Sequence, residues 1–517
     1  MKKNIFILLF LPAILFCSCD SFLSPKPSDF VSQDNYFNNE AELNTALAGV
    51  YDALSQDGTF SRNLVMELAH SSDEGFYKRN NSDITPYFYN HDASHAIINA
   101  CWRQLYDGVN RANLLLANVD KPVMDERKRK AIKGEALFLR AFMYFQLVNN
   151  WGDVPLLLEP TLSSETVNIP RKPSVDILRQ IETDMKAADS LVYEITDIGF
   201  GGRVSRSAVQ GILARVYLKW AGYPLQDVSK FAEAKKWALK VVDSDIHSLN
   251  DDFKQVFINH SSDRYDIKES IWEIEFYGNS SSGTEREGSR FAIQFAVKNT
   301  NEEVGYAYGV LGATGRLFKK YTDVNDVRRD WTIAPFSFKD NETEIKVDKA
   351  ETDIYTREVG KWRREYEPVR PLGKDWGQTN FPVLRYADVL LMLAEAENEI
   401  NGPEDALQYL NEVRKRAHAF EYTGVNTITD QTEFRDVIRD ERARELAFEA
   451  LRKFDLIRWG IFLREMTATG NDQKQNAPSS VAYSTKAYTN VRQKHVLLPI
   501  PSLELALNKS MTQNSGW

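Results

Sequence analysis

Cysteine is scarce in this sequence, with Cys17, Cys19 and Cys101 the three among 517 residues. The first two lie at the end of an N-terminal apolar segment that we expect to act in export, so only Cys101 is left for the mature domain. No intramolecular disulfide is then available. Packing must stabilise the fold instead, and a chain of this length that is 43% hydrophobic can bury a large core.

Long hydrophobic runs are equally rare. The run 5–16 follows Lys2 and Lys3 and is shorter than the ~20 apolar residues that a transmembrane helix needs, so it indicates a secretory signal over 1–18 and no membrane span in the mature chain. Ser18 stands directly before Cys19, as in a bacterial lipobox, which predicts palmitate-type lipidation of Cys19. The alternative is an ordinary cleaved signal with stray cysteines. We expect 19–40 to be an extended tether.

A basic surface is also missing, since the net charge is −9 and no basic stripe occurs, which argues against a nucleic-acid partner. No phosphate loop, nucleophile elbow or dinucleotide fingerprint is present, and we expect no cofactor. His91 and His95 have the i, i+4 spacing of two metal ligands on a helix. However, Asp92 stands where a zincin motif needs glutamate, and we favour surface histidines without a metal.

The segment 434–459 carries the strongest pattern in the chain. Apolar residues fall near i, i+3 and i+4 spacing and no Gly or Pro interrupts them, which predicts an amphipathic helix with a wide apolar stripe. Its dense charges are expected to form two i, i+4 ion pairs, Asp440 with Arg444 and Glu449 with Lys453.

Glu441, Glu445 and Glu449 form a carboxylate ladder in the same segment. Di-iron sites use such ladders together with histidine, and no histidine is near. We therefore predict a buried or half-buried ion-pair network that holds helices in register. Nothing singles out a pair of acids for glycoside hydrolysis.

The rest of the chain is mainly α-helical. Helices are predicted at 42–54, 96–119, 126–148, 174–193, 205–221, 229–243, 381–400 and 403–418. Small residues such as Ala208, Gly211 and Ala214 recur on facing sides, as in tetratricopeptide-like helix pairs (an α-α superhelix). The region 251–380 differs: alternating apolar residues at 272–276 and 291–297 predict small β-sheets within an irregular, loop-rich region.

Aromatic and polar side chains in loops are the remaining functional signal. Sugar rings present an apolar face and a polar rim, so aromatic rings can stack on the face while Asp, Asn and Arg bind the hydroxyls. The predicted ligand-binding residues are Asp73, Phe76, Tyr77, Arg79, Asn80, Tyr87, Tyr277, Tyr306, Tyr308, Trp331 and Trp376. The competing explanation for each aromatic residue is that it pins its loop to the helices.

Several ordered blocks resemble the SusD/RagB family of outer-membrane nutrient-binding lipoproteins of Bacteroidota. The blocks are 19–27, 134–142, 151–155, 384–399, 411–417, 441–459 and 498–516. The resemblance implies four tetratricopeptide-like helix pairs packed against an irregular region. It also implies the boundaries 41–250 for an N-terminal SusD-like helical region, 251–380 for a loop and strand insertion, and 381–517 for a C-terminal RagB/SusD helical region.

In function, the resemblance implies a lipid-anchored protein of the cell outer membrane that faces the exterior. It would capture a glycan, or in some members a peptide, and close as a lid on a SusC-like TonB-dependent transporter, without catalysis. The ligand site differs among family members, so the resemblance transfers no site residue. Two other classes stay open: a helical-repeat scaffold that binds only protein, and an enzyme such as a glycosidase.

Overall fold

The computed structural model describes residues 36–79, 84–161, 168–278, 288–339 and 346–517. The predicted signal, the lipidation residue Cys19 and the site residue Asn80 lie outside these ranges. Within them, no helix combines the length and the apolar character needed to cross a membrane. Cys101 is a free, buried cysteine. The division of the chain into regions at 41, 251 and 381 stays a prediction.

Helices account for most of the described chain. They are α1 (Glu40–Ser55), α2 (Ala96–Asn118), α3 (Glu126–Trp151), α4 (Ser174–Asp189), α5 (Ile195–Ile198), α6 (Arg206–Ala221), α7 (Lys230–Val242), α8 (Phe253–Ser261), α9 (Phe291–Phe295), α10 (Gly315–Lys320), α11 (Arg329–Thr332), α12 (Tyr386–Asn401), α13 (Pro403–Arg416), α14 (Gln431–Leu446), α15 (Arg452–Arg458), α16 (Phe462–Asn476), α17 (Lys486–Asn490) and α18 (Ser502–Leu507). Leu64–Ala69 forms a π-helix, and Pro86–Phe88 a 3₁₀ turn.

The strands are short and pair antiparallel in twos. They are β1 (Gly75–Tyr77), β2 (Ser270–Ile274), β3 (Leu311–Ala313), β4 (Phe336–Phe338), β5 (Lys346–Asp348) and β6 (Phe381–Arg385). β1 pairs with β3, β2 with β6, and β4 with β5. The predicted mainly helical fold with small sheets in an irregular region is confirmed.

The long helices form a row of four pairs. α1 packs on α2, α3 on α4, α6 on α7, and α12 on α13. Successive pairs also contact one another, α2 with α3, α4 with α6, and α7 with α12. This order is that of a helical-repeat superhelix, in which each pair covers the apolar face of the next. The last pair joins the row although the irregular region intervenes in sequence.

Glycines inside two helices permit the close packing. A Cβ on Gly211 in α6 would lie 2.5 Å from Leu384, and one on Gly108 in α2 would lie 2.8 Å from the Cβ of Ala53. Glycine in a helix interior costs about 1 kcal/mol relative to alanine. The contacts that its missing side chain allows offset that cost.

Two predicted secondary-structure elements are wrong for identifiable reasons. Residues 291–297 were expected to be a strand, but Phe291–Phe295 is helical, and Phe291, Ala292, Ile293 and Phe295 are all buried. Because both sides of this segment meet protein, apolar alternation does not report a strand there. Residues 381–385, expected to begin a helix, instead form β6, which continues the ladder from β2.

The segment 434–459 is two helices rather than one. α14 ends at Leu446 and α15 begins at Arg452, and between them Phe448 and Ala450 adopt φ values of 63° and 61°. Such left-handed conformations cost roughly 1–2 kcal/mol per non-glycine residue. Tertiary contacts of the break, described below, outweigh the helical pattern of the sequence.

The predicted local ion pairs within this segment do not form. Asp440 pairs with Lys320, and Arg444 pairs with Glu441 at 2.7 Å. Lys453 donates its ammonium hydrogen bond to the carbonyl of Leu68 at 2.9 Å. Asp440 and Lys453 therefore bind distant parts of the chain, whereas Arg444 pairs with Glu441 of its own helix.

The predicted buried ion-pair network is confirmed, and Glu445 lies at its centre. This fully buried carboxylate accepts hydrogen bonds from Arg328 at 3.1 Å, Arg385 at 3.0 Å and Arg416 at 2.5 Å. Burial by itself raises the pKa of the Glu445 carboxyl, but the three guanidinium groups outweigh burial and lower it to about 2. Glu441 is likewise surrounded by Arg328, Arg414 and Arg444, and its pKa is also lowered.

Replacing Glu445 by alanine would leave three buried guanidinium groups without one of their carboxylates. We expect the free energy of unfolding, measured by chemical denaturation, to fall by about 3–5 kcal/mol. Glu433→Ala, which removes an exposed acid of the same helix, is the control and should change it by less than about 0.5 kcal/mol. Equal effects of the two substitutions would contradict a structural role of the network.

The same experiment carries a pH signature. Because the folded-state pKa of Glu445 lies below the ordinary glutamate value of about 4.3, its stabilising contribution is complete above that pH and is lost as the pH falls towards 2. The variant should therefore lose less stability than the parent over this acidic window. A parallel loss in both proteins would contradict the low pKa.

Candidate functional site

The β1–β3 ladder brings two aromatic loops together. Its register pairs Tyr77 with Leu311, and beyond the strands the N–H of Lys78 donates to the carbonyl of Val310 at 2.7 Å. Residues that follow Tyr77 therefore lie beside residues that precede Leu311. The antiparallel pairing thus places Arg79 opposite the segment that carries Tyr306 and Tyr308.

Four tyrosines and one arginine lie here in two sets of ring contacts. Tyr77 lies parallel to Tyr87, with ring centroids 4.2 Å apart and planes 8° apart. The Cζ atom of Arg79 lies 4.7 Å from the ring centroid of Tyr308, whose edge meets Tyr306 at 5.2 Å. We call these five residues the tyrosine face. Tyr87 is buried and supports Tyr77 from behind, and the other four are half-buried.

A buried carboxyl group lies behind the tyrosine face. Glu67, on the π-helix, accepts a hydrogen bond from the hydroxyl of Thr85 at 3.3 Å. Burial raises the pKa of the Glu67 carboxyl to about 7, although Arg62 and Thr85 partly oppose this. Burial, with the charge of Glu67, also raises the pKa of the Tyr77 hydroxyl. Tyr77 therefore presents a neutral hydroxyl that can donate or accept a hydrogen bond.

The break between α14 and α15 holds the segments that carry this surface. Arg452 donates two hydrogen bonds of 2.8 Å to the carboxylate of Asp73, just before β1. The N–H of Phe448 donates to the carboxylate of Glu74 at 3.2 Å. Lys453 binds the carbonyl of Leu68 on the π-helix. These bonds fix β1 and Glu67 relative to the helical scaffold. They also offset the cost of the left-handed conformations of Phe448 and Ala450 in the break.

A second aromatic loop is tied to the first by the buried guanidinium of Arg364. It donates to the carbonyls of Tyr306, Gly373 at 2.8 Å and Trp376 at 3.3 Å, and to the carboxylate of Glu367 at 3.1 Å. One planar fork therefore sets the spacing between the Tyr306 and Trp376 loops.

Trp376 itself is half-buried at the end of this second loop. The Cζ atom of Arg290 lies 5.0 Å from the ring centroid of Trp376. Arg290 in turn forms an ion pair with Asp57 at 3.1 Å, and its N–H donates to the carbonyl of Ser61. The cation beside the ring of Trp376 is therefore held in place by its ion pair with Asp57.

Other predicted ligand-binding residues lie apart from the tyrosine face. Asp73 is buried in its ion pair with Arg452, and Phe76 packs in an apolar cluster with α15, α16 and α17. Trp331 is buried beneath the guanidinium of Arg363, whose Cζ lies 3.7 Å from its ring centroid. These three have structural partners, and we leave them out of the site. Tyr277 is 60% exposed, next to residues outside the described ranges.

The histidines of HDASH do not share a helix. Asp92 accepts hydrogen bonds from the N–H and hydroxyl of Ser94, and His95 caps the first turn of α2, so the helix starts only after the motif. The i, i+4 spacing therefore does not bring His91 and His95 onto one face of a helix. Among the described residues, no cluster of three or more His, Cys, Asp or Glu side chains is arranged to hold a metal ion.

Sequence reasoning missed Glu67, Arg290 and Arg364. Each acts through a contact with residues far away in the chain, and none belongs to a spacing pattern that a local motif could reveal. Arg364 lies in a segment rich in charged residues, where a solvated arginine would be the ordinary expectation.

Comparison with known proteins identifies the family. The family model described as "SusD family" matches residues 346–517, and the model described as "Starch-binding associating with outer membrane" matches residues 21–218. The chain belongs to the SusD/RagB family. This confirms the resemblance seen in the sequence and associates this SusD/RagB protein with a family of glycan-binding proteins of the outer membrane.

Individual SusD relatives match over most of the chain. SusD-like protein P25 of Formosa agariphila is 27% identical over 99% of this chain and 98% of its own length. The starch-binding protein SusD of Bacteroides thetaiotaomicron is 25% identical over 74% of this chain and 72% of its own. A crystal structure of a SusD homolog from Bacteroides thetaiotaomicron, 27% identical, superposes with a TM-score of 0.86 and covers 94% of this chain and 98% of that one.

Arg364→Lys tests whether the fork positions the aromatic loops. Lysine cannot reproduce a planar fork of donors, so we expect the free energy of unfolding to fall by about 1–3 kcal/mol and the loop 366–378 to become more sensitive to protease. The control is Arg370→Lys, because Arg370 is an exposed arginine within this loop whose bonds to two carbonyls lie at the surface. We expect it to change stability and protease sensitivity less than Arg364→Lys does. If both variants resist protease like the parent, Arg364 does not position these loops.

Proposed function

We propose that this protein is a surface-exposed lipoprotein that captures an oligosaccharide or polysaccharide on the tyrosine face and delivers it to a SusC-like TonB-dependent transporter. Lipidation at Cys19 would anchor it in the outer membrane. The segment 19–40 would tether the helical scaffold, whose first helix, α1, begins at Glu40. The ligand-binding function rests on the tyrosine face. Anchoring and delivery rest on the signal sequence and on family membership.

The observation that carries the binding proposal is that the ring of Tyr77 stacks on the buried ring of Tyr87. Its parallel contact with buried Tyr87 at 4.2 Å holds it rigid, so little side-chain entropy is lost when a sugar stacks on it. Arg79 and the half-buried hydroxyls beside it supply hydrogen-bond donors for sugar hydroxyls. An apolar platform with a polar rim matches the two sides of a pyranose ring.

The positions of two carboxyl groups next to the tyrosine face support binding without turnover. Glu67 is buried behind the rings. Glu358 is ion-paired with Lys78 and accepts the N–H of Lys298 at 2.7 Å. Glycoside hydrolysis needs two carboxyl groups placed on either side of the scissile bond, about 5–10 Å apart. Among the described residues around the tyrosine face, the engaged positions of these two acids favour a binding surface.

Isothermal titration calorimetry against glycan and peptide panels tests the binding function. The glycan panel would include starch, laminarin, xylan and mannan oligosaccharides. For a glycan that binds, we expect Tyr77→Ala and Tyr308→Ala each to weaken affinity about tenfold, because a lost ring contact is worth about 1–1.5 kcal/mol. Phe420→Ala, which removes an exposed aromatic ring from a different loop, should leave affinity unchanged.

Thermal unfolding of each variant controls for misfolding. If no glycan binds, or if the tyrosine variants bind like the parent, the tyrosine face is not the glycan site. Heat from the peptide panel alone would favour a peptide-binding member of the family.

The delivery step predicts a physical partner. Detergent-solubilised outer membranes should yield this protein together with a TonB-dependent β-barrel, because a lid must contact the transporter that it closes. The control is a variant that lacks the signal and Cys19. It should no longer be attached to the membrane, while its glycan affinity should be unchanged. Isolation of the anchored protein with no barrel would contradict delivery while leaving glycan binding intact.

A further inference from the structure

A second cleft, of about 640 Å³, opens between the helical scaffold and the C-terminal segment. Its apolar wall is formed by Val148, Leu225, Ile457, Val496 and Leu497. No residue of the tyrosine face lines it. A volume of this size is typical of sites for small molecules, and an apolar wall with a few polar groups is the usual composition of such sites.

Three cationic side chains line this cleft without an ion pair. Arg171 donates only to neutral acceptors, the carbonyls of Asp153 and Thr512 and the side chain of Asn514. Lys494 lies over the ring of Trp517 at 4.1 Å. The ammonium group of Lys219, on α6, forms no hydrogen bond or ion pair with a described residue. Other buried arginines of this acidic protein, such as Arg385 and Arg416, are paired with carboxylates. Lys453 is a further buried cation without an ion pair, but it bonds to the carbonyl of Leu68.

The one carboxylate in the lining, that of Asp153, favours the charge of Arg171 but forms no ion pair with any of the three cations. Asp153 accepts the N–H and the hydroxyl of Ser174 at 2.7 and 2.6 Å, which fixes it at the start of α4. Arg171 reaches the backbone carbonyl of Asp153 rather than its carboxylate. Among the described lining residues, positive charge therefore exceeds negative charge by three to one.

Lys219 is the most unusual of the three. It is only 6% exposed, and its side chain lines both this cleft and a smaller cavity of about 60 Å³ behind it. A buried ammonium without a partner is strongly unfavourable. Burial, with added repulsion from Arg458, lowers the pKa of the Lys219 ammonium to about 8.

The other charges around the smaller cavity already have partners. Arg215 pairs with Asp388 at 2.6 Å, and Arg442 pairs with Asp388 and Asp455 at 2.7 and 2.8 Å. Arg458 pairs with Glu395 and with Asp455. Glu449, the remaining acid, is held by Lys361 and Arg385. None of these carboxylates bonds to Lys219, so the protein itself leaves this charge uncompensated.

We propose that the cleft binds a small organic anion, a carboxylate- or sulfate-bearing ring of about one or two sugar units. Its charged group would lie against Lys219 and Lys494, and its ring against Ile457 and Leu497. The anion supplies the counter-charge that Lys219 lacks, and charge-assisted hydrogen bonds inside a partly dry cleft are stronger than those in water. This second site goes beyond the proposed glycan function and does not depend on it.

Binding of an anion has a measurable proton signature. Near pH 8 a substantial fraction of Lys219 is neutral, and a bound anion favours its charged form, so the complex takes up a proton. Uptake makes the calorimetric enthalpy depend on the ionisation enthalpy of the buffer. The other charged groups named around the smaller cavity are arginines and carboxylates held in ion pairs.

The test is calorimetry on the full chain at pH 8 in two buffers of different ionisation enthalpy. The probes are D-glucuronate, D-glucose 6-sulfate and neutral D-glucose, which separate carboxylate, sulfate and uncharged sugar. We expect one or both anions to bind with proton uptake, at least tenfold more tightly than glucose. Lys219→Met should reduce that affinity at least tenfold and abolish the uptake, and Lys494→Met should weaken binding by a smaller factor.

Two controls separate binding from folding. Tyr77→Ala should bind the anions like the parent, so failure of the tyrosine face and failure of this cleft are distinguishable. Lys219→Met should unfold at a temperature no lower than the parent, because it removes an unpaired buried charge. Anions that bind no better than glucose, or Lys219→Met and Lys494→Met variants that bind them like the parent, would overturn the proposal.

Discussion

Glu445 receives guanidinium hydrogen bonds from three separate parts of the chain: Arg328 from the irregular region, Arg385 from the end of β6, and Arg416 from the end of α13. A carboxylate surrounded in this way restricts where each of those elements can lie, since any displacement leaves a charge buried without a partner. Replacing such a network with apolar residues would often be neutral in stability. Its effect is therefore on specificity, because it selects one arrangement of the helix pairs and the irregular region.

The same chemistry continues to the proposed ligand surface. The helix that carries Glu445 breaks at Ala447, and the residues after the break bind Leu68, Asp73 and Glu74. Those three residues flank Glu67 and β1, from which the tyrosine face is built. Buried charge thus connects the scaffold to the loops, and Arg364 extends the connection to Trp376. Loops held in this way can present aromatic rings in a fixed geometry without being part of a regular sheet or helix.

Lys219, Arg171 and Lys494 differ from these paired charges, because they line one cleft together and none of them forms an ion pair. A single unpaired lysine on a surface does not indicate a binding site, because water solvates its charge. A buried one beside two further unpaired cations is costly unless something else compensates the charge. The protein therefore separates two kinds of surface: an aromatic face that contains one arginine, Arg79, and a cationic cleft with an apolar wall.

The sequence by itself determined the family, the helix pairs and the structural role of the 434–459 charges, because i, i+3, i+4 spacing, small residues and ordered blocks are local signals. Tertiary structure alone decided where that helix breaks, that Phe291–Phe295 is helical, and which aromatic residues gather. The β1–β3 ladder places Tyr77 and Arg79 beside the segment of Tyr308, and Tyr87 reaches Tyr77 from the 3₁₀ turn. Asp73, Phe76 and Trp331 are instead used in packing. One physical reason explains why the sequence did not reveal these features. A side chain's partner is chosen by long-range contacts whose free energy exceeds local propensity, and no spacing in the sequence encodes them.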